Sequence, residues 1–433
     1  MENVLVKLRD KKGIALITTF LVMTALLIYS AAFVNVSINQ NMSAERFKRR
    51  TRAFSLAEAG LDQAITWLRA QGAPPIGDKV NPWGSSPDLR GGSFNVAITD
   101  LGVVGGVGSI RRYKVTSTGS FGNISRVLTN YMQVDNFARY TWFTNSETFY
   151  GTTVWFWSQD HLDGTIQTNA HFNIYGNPVF AGMARSGDNY IRYYNNGNNK
   201  NLSQLTNPPY DNPDFQQGVD FGVNPITMPT QALTLRSAAT SSGFSLEGDT
   251  TVVLNNNTMN VTNSKKKWDN QNMALPTNGA LFVSGGDLTI SGTLNGRLTA
   301  GSSQDILIPS SIVYADSPKV NPNSTNVLGL IAEHDAMISY TAPTDIEIDG
   351  CIMTMSTSFM MENWWAGPPK GTLTMYGGII QRERGPVGTF NGSTGQKVSG
   401  YSKNYAYDSR LVGSPPPFMP TTGDYVTLSW EED

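Results

Sequence analysis

The chain has few residues of the kinds that build disulfides, metal sites or strongly charged surfaces. Its 433 residues include one cysteine, Cys351, and three histidines, so an intrachain disulfide is excluded and no spacing is typical of a zinc site. No Gly-Lys-Ser/Thr loop occurs, which argues against nucleotide hydrolysis. Charged residues make up 15% and the net charge is -2. This near-neutral charge gives no sign of a nucleic-acid-binding surface, so we expect no nucleic-acid partner. We also expect no cofactor, since neither a zinc-site spacing nor a nucleotide-binding loop is present.

A long apolar run near the N-terminus is the first feature that the chain does have. Over residues 14–36 the apolar length suffices to cross about 30 Å of hydrocarbon, which takes about 20 residues. It exceeds the roughly 7 to 15 residues of a secretory signal core. We therefore predict a transmembrane helix over 14–36. An uncleaved signal anchor and cleavage near Ser30-Ala31-Ala32 are the alternatives. The polar side chains in the run are Thr18, Thr19, Thr24, Tyr29, Ser30 and Asn35.

A charged leader joins this run through one small residue. Lys11-Lys12-Gly13 precedes the apolar run that begins at Ile14, and Arg52-Ala53-Phe54-Ser55-Leu56-Ala57-Glu58-Ala59-Gly60-Leu61 follows it. These stretches resemble the N-terminal region of PilX-type minor pilins of the type IV pilin superfamily. The resemblance implies that residues 1–13 are a prepilin-type leader. It also implies that a prepilin peptidase cuts between Gly13 and Ile14 and that the new N-terminus is methylated.

The fifth residue counted from Ile14 departs from this resemblance. Pilins of a filament body usually carry glutamate there, and its carboxylate meets the N-terminal ammonium of a neighbour; this chain has Thr18. A buried ammonium needs a partner because an isolated charge in a low-dielectric setting costs several kcal/mol. We therefore predict a minor, priming or tip role, where no neighbour has to be neutralised. A threonine that only bonds back to its own backbone is the structural alternative.

The helix is predicted to continue beyond the membrane. No proline precedes residue 74, and Phe47, Phe54, Leu61 and Leu68 recur every seven residues. An unbroken helix of this length spans about 85 Å. We expect residues 37–70 to form an amphipathic continuation whose apolar stripe docks on the globular domain and serves assembly.

Basic residues flank the span on both sides, so the positive-inside rule alone does not orient it. We choose a cytoplasmic N-terminus because the long remainder has few Lys and Arg for its length and because the pilin resemblance requires it. The expected location is the inner membrane, crossed once, and then the periplasm or a cell-surface filament. The flanking residues are Lys7, Arg9, Lys11 and Lys12 before the span, and Arg46, Lys48, Arg49, Arg50 and Arg52 after it.

A linker and a small sheet are predicted next. Prolines and glycines mark residues 71–92 as the linker. Apolar residues then alternate from Phe94 to Ile98, which predicts a strand, and two further β-rich runs flank Gly122-Asn123, which predicts a hairpin. We expect residues 93–139 to form a small antiparallel sheet. A long helix with such a sheet is the pilin architecture.

The remainder, residues 140–433, is rich in glycine and in short β-prone runs, with no helical period of comparable length. We predict a large, mainly-β domain, a β-solenoid with a β-sandwich as the alternative, so that the fold class is α+β. A long surface loop is expected near 181–270, with Asn-, Pro- and Tyr-rich residues at 189–213. The stretch Asp160-His161-Leu162-Asp163-Gly164-Thr165-Ile166-Gln167-Thr168-Asn169 resembles an uncharacterised β-rich domain found behind PilX-like N-termini.

Two groups of titratable residues are candidates for catalysis, since solenoids host polysaccharide lyases and hydrolases. They are Asp160 and Asp163 near His161, and the run Glu333-His334-Asp335. Short acidic residues beside glycine more commonly form turns. We therefore expect no enzymatic activity. Calcium binding by the first group stays open, although no EF-hand loop is present.

Tryptophans are the stronger candidates for partner contact. Trp155 and Trp157 flank Phe156, and Trp364 and Trp365 are adjacent. Side chains of successive strand residues point to opposite faces, so we expect at least one of each set to be exposed. Exposed tryptophan suits contact with carbohydrate or a protein partner, while burial under a loop is the alternative.

Three functions follow from these patterns. The first is a minor pilin or pseudopilin of a type IV pilus or related secretion filament that presents a large β domain for adhesion. Its expected partners are the prepilin peptidase, other pilins or pseudopilins, the pilus assembly machinery, the inner membrane and an extracellular surface or glycan. The second is a membrane-anchored adhesin that does not polymerise. The third is an anchored carbohydrate-active enzyme. Processing between Gly13 and Ile14 separates the first from the others.

Overall fold

One continuous helix forms the N-terminal region. The computed structural model describes residues 2–84, 89, 91–104, 110–194, 200–203 and 211–432. Helix α1 extends over Glu2–Arg69. From Ile14 it is long and apolar enough, by length and composition, to cross a membrane, and an 18-residue window of it has a mean hydropathy of 2.2. None of this window is buried against the rest of the chain. The predicted long, unbroken helix is confirmed.

An antiparallel sheet follows the helix, as predicted. Strands β1 (Lys79–Val80), β2 (Gly92–Val104), β3 (Ile110–Phe121) and β4 (Ile124–Asn136) pair in chain order. Gly122, in the turn between β3 and β4, has a φ of 62°, which favours glycine.

The C-terminal residues Thr421–Glu432 form a further strand of this sheet, antiparallel to β4. The predicted boundary of a β domain at 140–433 is therefore wrong at its C-terminal end. The sequence order does not reveal this pairing, because a strand pairs with whatever edge the chain reaches in space.

The second part of α1 packs on the sheet. Its buried face runs from Ala53 to Leu68, and Phe54 and Ile65 pack beside it. Gly60 permits the close approach, because a Cβ there would lie 2.2 Å from the Ser117 hydroxyl.

The docked stripe is shorter than predicted. Phe47 is 72% exposed, while Leu61 and Leu68 are buried. The reason is that the sheet ends near Arg52, whose guanidinium lies 4.5 Å from the ring centroid of Phe121 at the end of β3. Towards its N-terminus, α1 extends past this edge.

The large β domain has a first section, residues 142–221, and a second section, residues 244–406. Strands of the first section are β5 (Trp142–Ser146), β6 (Thr148–Phe149), β7 (Thr152–Thr153), β8 (His161–Leu162), β9 (Ile166–Thr168), β10 (Asn173–Ile174), β11 (Val179–Phe180), β12 (Ala184–Ser186), β13 (Tyr190–Tyr193), β14 (Lys200–Ser203), β15 (Asp214–Phe215) and β16 (Val219–Phe221).

Helix α2 (Leu233–Ser242) separates the sections. Strands of the second section are β17 (Phe244–Glu247), β18 (Thr250–Asn256), β19 (Thr258–Asn263), β20 (Trp268–Ala274), β21 (Ala280–Ser284), β22 (Leu288–Leu294), β23 (Arg297–Ser302), β24 (Ile306–Ile308), β25 (Ile312–Tyr314), β26 (Val327–Ala332), β27 (Ala336–Ile338), β28 (Ile346–Thr354), β29 (Phe359–Met361), β30 (Pro369–Glu383), β31 (Gly388–Phe390) and β32 (Lys397–Ala406). The C-terminal strand is β33 (Thr421–Glu432).

Most of these strands pair in parallel with strands one coil away along the chain. In the first section the ladder runs β5, β9, β12, β16. In the second section it runs β17, β21, β23, β26, β28, β30. β5 pairs in parallel with β30, with Trp142 opposite Ile379, so the two ladders form one stack. The order of the strands in the stack differs from their order in the chain. The chain enters the stack at β5, in the middle, and reaches one end at β16. It resumes at the other end with β17 and returns to the middle at β30.

Residues 222–243, the return segment, carry the chain between the two ends of the stack. The Asn169 side chain exchanges hydrogen bonds of 3.0 and 2.8 Å with the backbone of Ile226. Further along, the Glu333 carboxylate accepts from the Ala232 amide at 2.9 Å. Helix α2 then buries Leu235 and Ala239 in a cluster with residues of the stack. The return segment is therefore fixed along the outside of the ladder.

The predicted long surface loop near 181–270 is wrong for the described residues of that range, which contain strands β12–β20 and helix α2. Several of these strands have only two to four residues, too few to show a period-2 pattern, and their partners lie a coil away. Helix α2 is rich in Ser and Thr, which have low helix propensity, so its packing rather than its sequence specifies it. Within the predicted segment 189–213, residues 195–199 and 204–210 lie outside the described residues.

Candidate ligand cleft

Three surface segments rise from the place where the two sections meet and enclose a cleft. They are the β6–β7 hairpin directly after β5, residues 362–368 directly before β30, and the β31–β32 hairpin directly after β30. The cleft has a volume of about 540 Å³. Because all three segments adjoin β5 or β30, the junction of the two sections positions part of the walls, and Trp155, Trp157 and Tyr194 of the first section complete them.

Aromatic rings form most of the walls. Trp157 stacks on Phe390 with centroids 5.1 Å apart and an interplanar angle of 8°. The Trp155 ring meets the Tyr194 ring edge-on, with centroids 5.0 Å apart. Trp364 lies on the wall to which Phe149 and Tyr150 also belong. The aromatic residues that line the cleft are Phe149, Tyr150, Trp155, Trp157, Tyr194, Trp364, Phe390 and Tyr401.

The structure brings three of the four predicted tryptophans into this cleft. Trp155 and Trp364 are half-buried, whereas Trp157 is only 5% exposed and its ring is part of the wall. The expectation of an exposed side chain holds for Trp365, which is 64% exposed but lies outside the cleft. Alternation explains the first set, because Phe156 points into the core while its two neighbours point out.

A buried ion cluster lies beneath the cleft. Arg384 is 0% exposed, and its guanidinium lies 3.0 Å from Glu147 and 3.6 Å from Asp160. The Lys403 ammonium, which lines the cleft, donates to Asp160 at 2.9 Å. Burial lowers the pKa of Lys403, and Asp160 opposes this. The cluster links the first section, which supplies both acids, to the second, which supplies both bases.

Lys397 is the other charged residue that lines the cleft. Its ammonium donates to the carbonyls of Lys370 and Gly371 and to the Ser402 hydroxyl, all of which are neutral acceptors. Burial lowers the pKa of Lys397, while the Asp345 carboxylate opposes this at longer range. The described lining contains no aspartate or glutamate. The cleft therefore presents positive charge among aromatic rings.

The candidate catalytic residues do not lie together in one site. Asp160 belongs to the ion cluster, while His161 and Asp163 are exposed. Glu333 is bonded to Arg236 and to the return segment, and the Asp335 carboxylate accepts from the Ser358 amide at 2.8 Å. Among the residues that the structure describes, no group of three or more His, Cys, Asp or Glu could hold a metal ion.

Sequence reasoning missed Glu147, Arg384 and Lys403. Glu147 and Arg384 are 237 positions apart, so no local pattern connects them. The one available signal was Arg384 beside Gly385-Pro386 in a glycine-rich region, which is also typical of an exposed turn.

The predicted processing and assembly residues all lie on α1. Gly13 and Ile14 are within the helix, and Ile14 is 62% exposed. The Thr18 hydroxyl donates to the carbonyls of Ile14 at 3.0 Å and Ala15 at 2.9 Å, which is the local backbone bonding of the structural alternative. Phe54 meets Trp430 of β33 edge-on, with centroids 6.3 Å apart.

Comparison with known proteins gives two likenesses. Residues 107–188 match a family described as a domain of unknown function, DUF4900. No curated protein matches the chain. The competence-associated pilin ComZ from Thermus thermophilus is similar at a TM-score of 0.36 and 10% identity, over 89% of this chain and 98% of that chain. The match to DUF4900 covers less than half of the chain.

Proposed function

We propose that this protein is a pilin-like subunit of a type IV pilus or related secretion filament. The observation that carries the proposal is the division of α1. Its N-terminal part is apolar and unburied, with an 18-residue window that is 0% buried, whereas its C-terminal part packs on an antiparallel sheet. An apolar helix with no covering partner needs either a membrane or neighbouring helices around it. A pilin-like subunit would meet both, first the membrane and then the helices of other subunits in the filament core.

The proposal extends to processing and location. The leader that ends at Gly13 would be removed by a prepilin peptidase, and Ile14 would become a methylated N-terminus. The subunit would cross the inner membrane once with a cytoplasmic N-terminus, and then enter a filament with other pilins or pseudopilins. Thr18 in place of glutamate favours a minor subunit with a priming or tip role, in which the β domain is presented for adhesion.

We also propose that the β domain binds and does not catalyse. The candidate catalytic acids are held in separate structural contacts. The described lining of the aromatic cleft contains no carboxylate. General acid–base chemistry on a polysaccharide needs such a group within reach of the reacting bond.

Mass spectrometry of the mature protein tests the proposal. We expect an N-terminal peptide that begins with N-methylated Ile14, and sedimentation of the protein with sheared filaments. A Gly13→Asp variant places a bulky charged residue before the cut and should accumulate as the unprocessed precursor; Gly13→Ala, which keeps the residue small, is the matched control. A mature N-terminus at Met1 or beyond Ser30 contradicts the proposal and favours the adhesin that does not polymerise.

A further inference from the structure

The aromatic cleft has features that neither filament assembly nor stability of the stack requires. Assembly uses α1, whereas the cleft lies at the junction of the two sections of the β domain. Its volume of about 540 Å³ is within the range of roughly 300–1,000 Å³ that is typical of small-ligand sites. Its rim includes Tyr150, at the tip of the β6–β7 hairpin, which is 71% exposed.

The aromatic walls are held in place before any ligand arrives. Trp157 is stacked on Phe390, and Trp155 contacts both Tyr194 and Arg192, whose guanidinium lies 5.7 Å from the Trp155 ring centroid. Rings that are already ordered lose little conformational entropy on binding. Flat, electron-rich faces of this kind attract the C–H groups of a pyranose ring, which carry a partial positive charge.

Charge selects among ligands that could stack. The described lining contains the ammonium groups of Lys397 and Lys403 and no carboxylate. Asp160 offsets Lys403 at 2.9 Å, but the three hydrogen-bond acceptors of Lys397 are neutral. Lys397 is therefore a cation without a carboxylate in hydrogen-bond contact, inside a partly desolvated cleft where its field is weakly screened. A negative ligand matches this field.

We propose that the cleft binds an anionic glycan, whose sugar rings stack on Trp155 and Trp364 and whose acidic groups lie near Lys397. This inference names a ligand class for the proposed adhesive role. It rests on the proposed function only in requiring that the cleft be exposed outside the cell. Thr152 and Thr153 also line the cleft, and threonine hydroxyls suit the hydroxyls of a sugar. An acidic peptide would meet the same charge but lacks the array of hydroxyls that these threonines match.

The test is calorimetric titration of the full chain in detergent micelles with three probes: tetragalacturonate, neutral cellotetraose and a tetraglutamate peptide. We expect saturable binding of tetragalacturonate that weakens as salt rises, with cellotetraose bound at least about tenfold more weakly and no binding of the peptide. Trp364→Ala should weaken binding about tenfold or more. Trp430→Ala, which removes a half-exposed tryptophan of β33 outside the cleft, is the matched control and should change it less than about twofold.

Lys397 is tested by a pair of variants. Lys397→Met should weaken tetragalacturonate binding and flatten its salt dependence, while Lys397→Arg should restore both, provided that each variant melts like the wild type. Absence of saturable binding, equal affinity for cellotetraose, preference for the peptide, or unchanged affinity of Trp364→Ala would overturn the proposal. Binding in micelles does not depend on cleavage at Gly13, so normal processing without glycan binding refutes this inference alone. Glycan binding by a protein that is never processed refutes the filament proposal alone.

Discussion

Arg384 is the residue on which the junction of the β domain depends. Its guanidinium is fully buried, lies 3.0 Å from Glu147, and sits 3.5 Å from the ring centroid of Phe156. Two acids and two bases share this site, so each buried charge has a partner of opposite sign. Removal of one partner from a buried pair leaves an uncompensated charge, which costs far more than the pair contributes.

Arg384→Met should therefore lower the free energy of unfolding of the β domain by about 3–5 kcal/mol. Denaturant unfolding followed by tryptophan fluorescence measures this loss, since the Trp142 ring centroid lies 5.3 Å from the Arg384 guanidinium and the Trp157 amide donates to Asp160 at 3.3 Å. A second change, Glu147→Gln, should recover part of the loss by removing the unpaired acid. Arg185→Met is the control, because its partner Asp220 is exposed and 3.7 Å away, and its loss should stay below about 1 kcal/mol.

Thr18 carries the prediction about position in the filament. Its hydroxyl donates to the backbone carbonyls and carries no negative charge, so it offers no counter-ion to the N-terminal ammonium of a neighbour. In Thr18→Glu cells, we expect the subunit to be distributed along the filament instead of being confined to its end, and gold labelling of sheared filaments measures this. Thr18→Gln has the shape of glutamate without its charge and should keep the wild-type distribution. Labelling along the whole filament in the wild type would refute the tip role.

At the scale of elements, a row of aspartates links successive coils of the second section. The Asp249 carboxylate accepts from the Asp287 amide at 3.0 Å, Asp287 from the Asp305 amide at 3.1 Å, and Asp305 from the Asp335 amide at 3.0 Å. These bonds fix the register between coils, but they also stack like charges. Burial raises the pKa of Asp305, and the charges of Asp335 and Asp287 add to this, while the hydrogen bond from Asp335 opposes it.

The sign of the pH dependence follows from this raised pKa. The folded state holds a proton on Asp305 at pH values where the unfolded chain, with its carboxyl pKa near 3.8, has lost it. Stability from this group is therefore highest below pH 3.8 and falls as pH rises through the folded pKa.

Asp305→Asn should keep the hydrogen bond to Asp335 and remove the repulsion. We expect its melting temperature at pH 7 to exceed that of the wild type by about 1–3 °C, with the difference lost as the pH falls towards 3.8. Thermal scans between pH 3.5 and 7.5 measure it. Asp269→Asn, on the exposed strand β20, should follow the wild type throughout. If Asp305→Asn melts at a lower temperature than the wild type at pH 7, repulsion of Asp305 by Asp287 and Asp335 is contradicted.

The molecule as a whole is closed by its last strand. β33 pairs with β4 from Thr421 to Glu432, and Trp430 covers Phe54 of α1. Helix α1 and the β domain are thus connected twice, once through β4 and β5 and once through the segment between β32 and β33.

Truncation after Pro420 should loosen the helix-docking sheet and leave the stack intact. Hydrogen exchange should become at least about tenfold faster in β4, because its edge becomes unpaired, and should stay unchanged in β26, which lies inside the parallel ladder. Mass spectrometry of peptides from both strands compares them within one sample. Equal protection of β4 in the truncated and full chains would show that β33 contributes nothing to the sheet.

Local patterns were sufficient for part of the fold. The apolar run from Ile14, the absence of proline before residue 74 and the period-2 pattern from Phe94 to Ile98 predicted a long helix and an antiparallel sheet, both of which are confirmed. The mainly-β character of the rest is confirmed as well. Helix α2 and strands β12–β17 were not predictable, because the helix is too polar and these strands, of two to four residues each, are too short to produce a periodic signal.

The sequence alone determined what depends on neighbours along the chain: the charged stretch that ends at Gly13, the apolar helix behind it, Thr18 near its start, and the tryptophan pairs. Only the tertiary structure decided which distant residues meet. It joined β5 to β30, returned β33 to the first sheet, and brought Trp155, Trp157 and Trp364 around one cleft above Arg384. The physical reason is that parallel coils pair strands across loops of different length, so the contacts that form the cleft leave no periodic signal in the sequence.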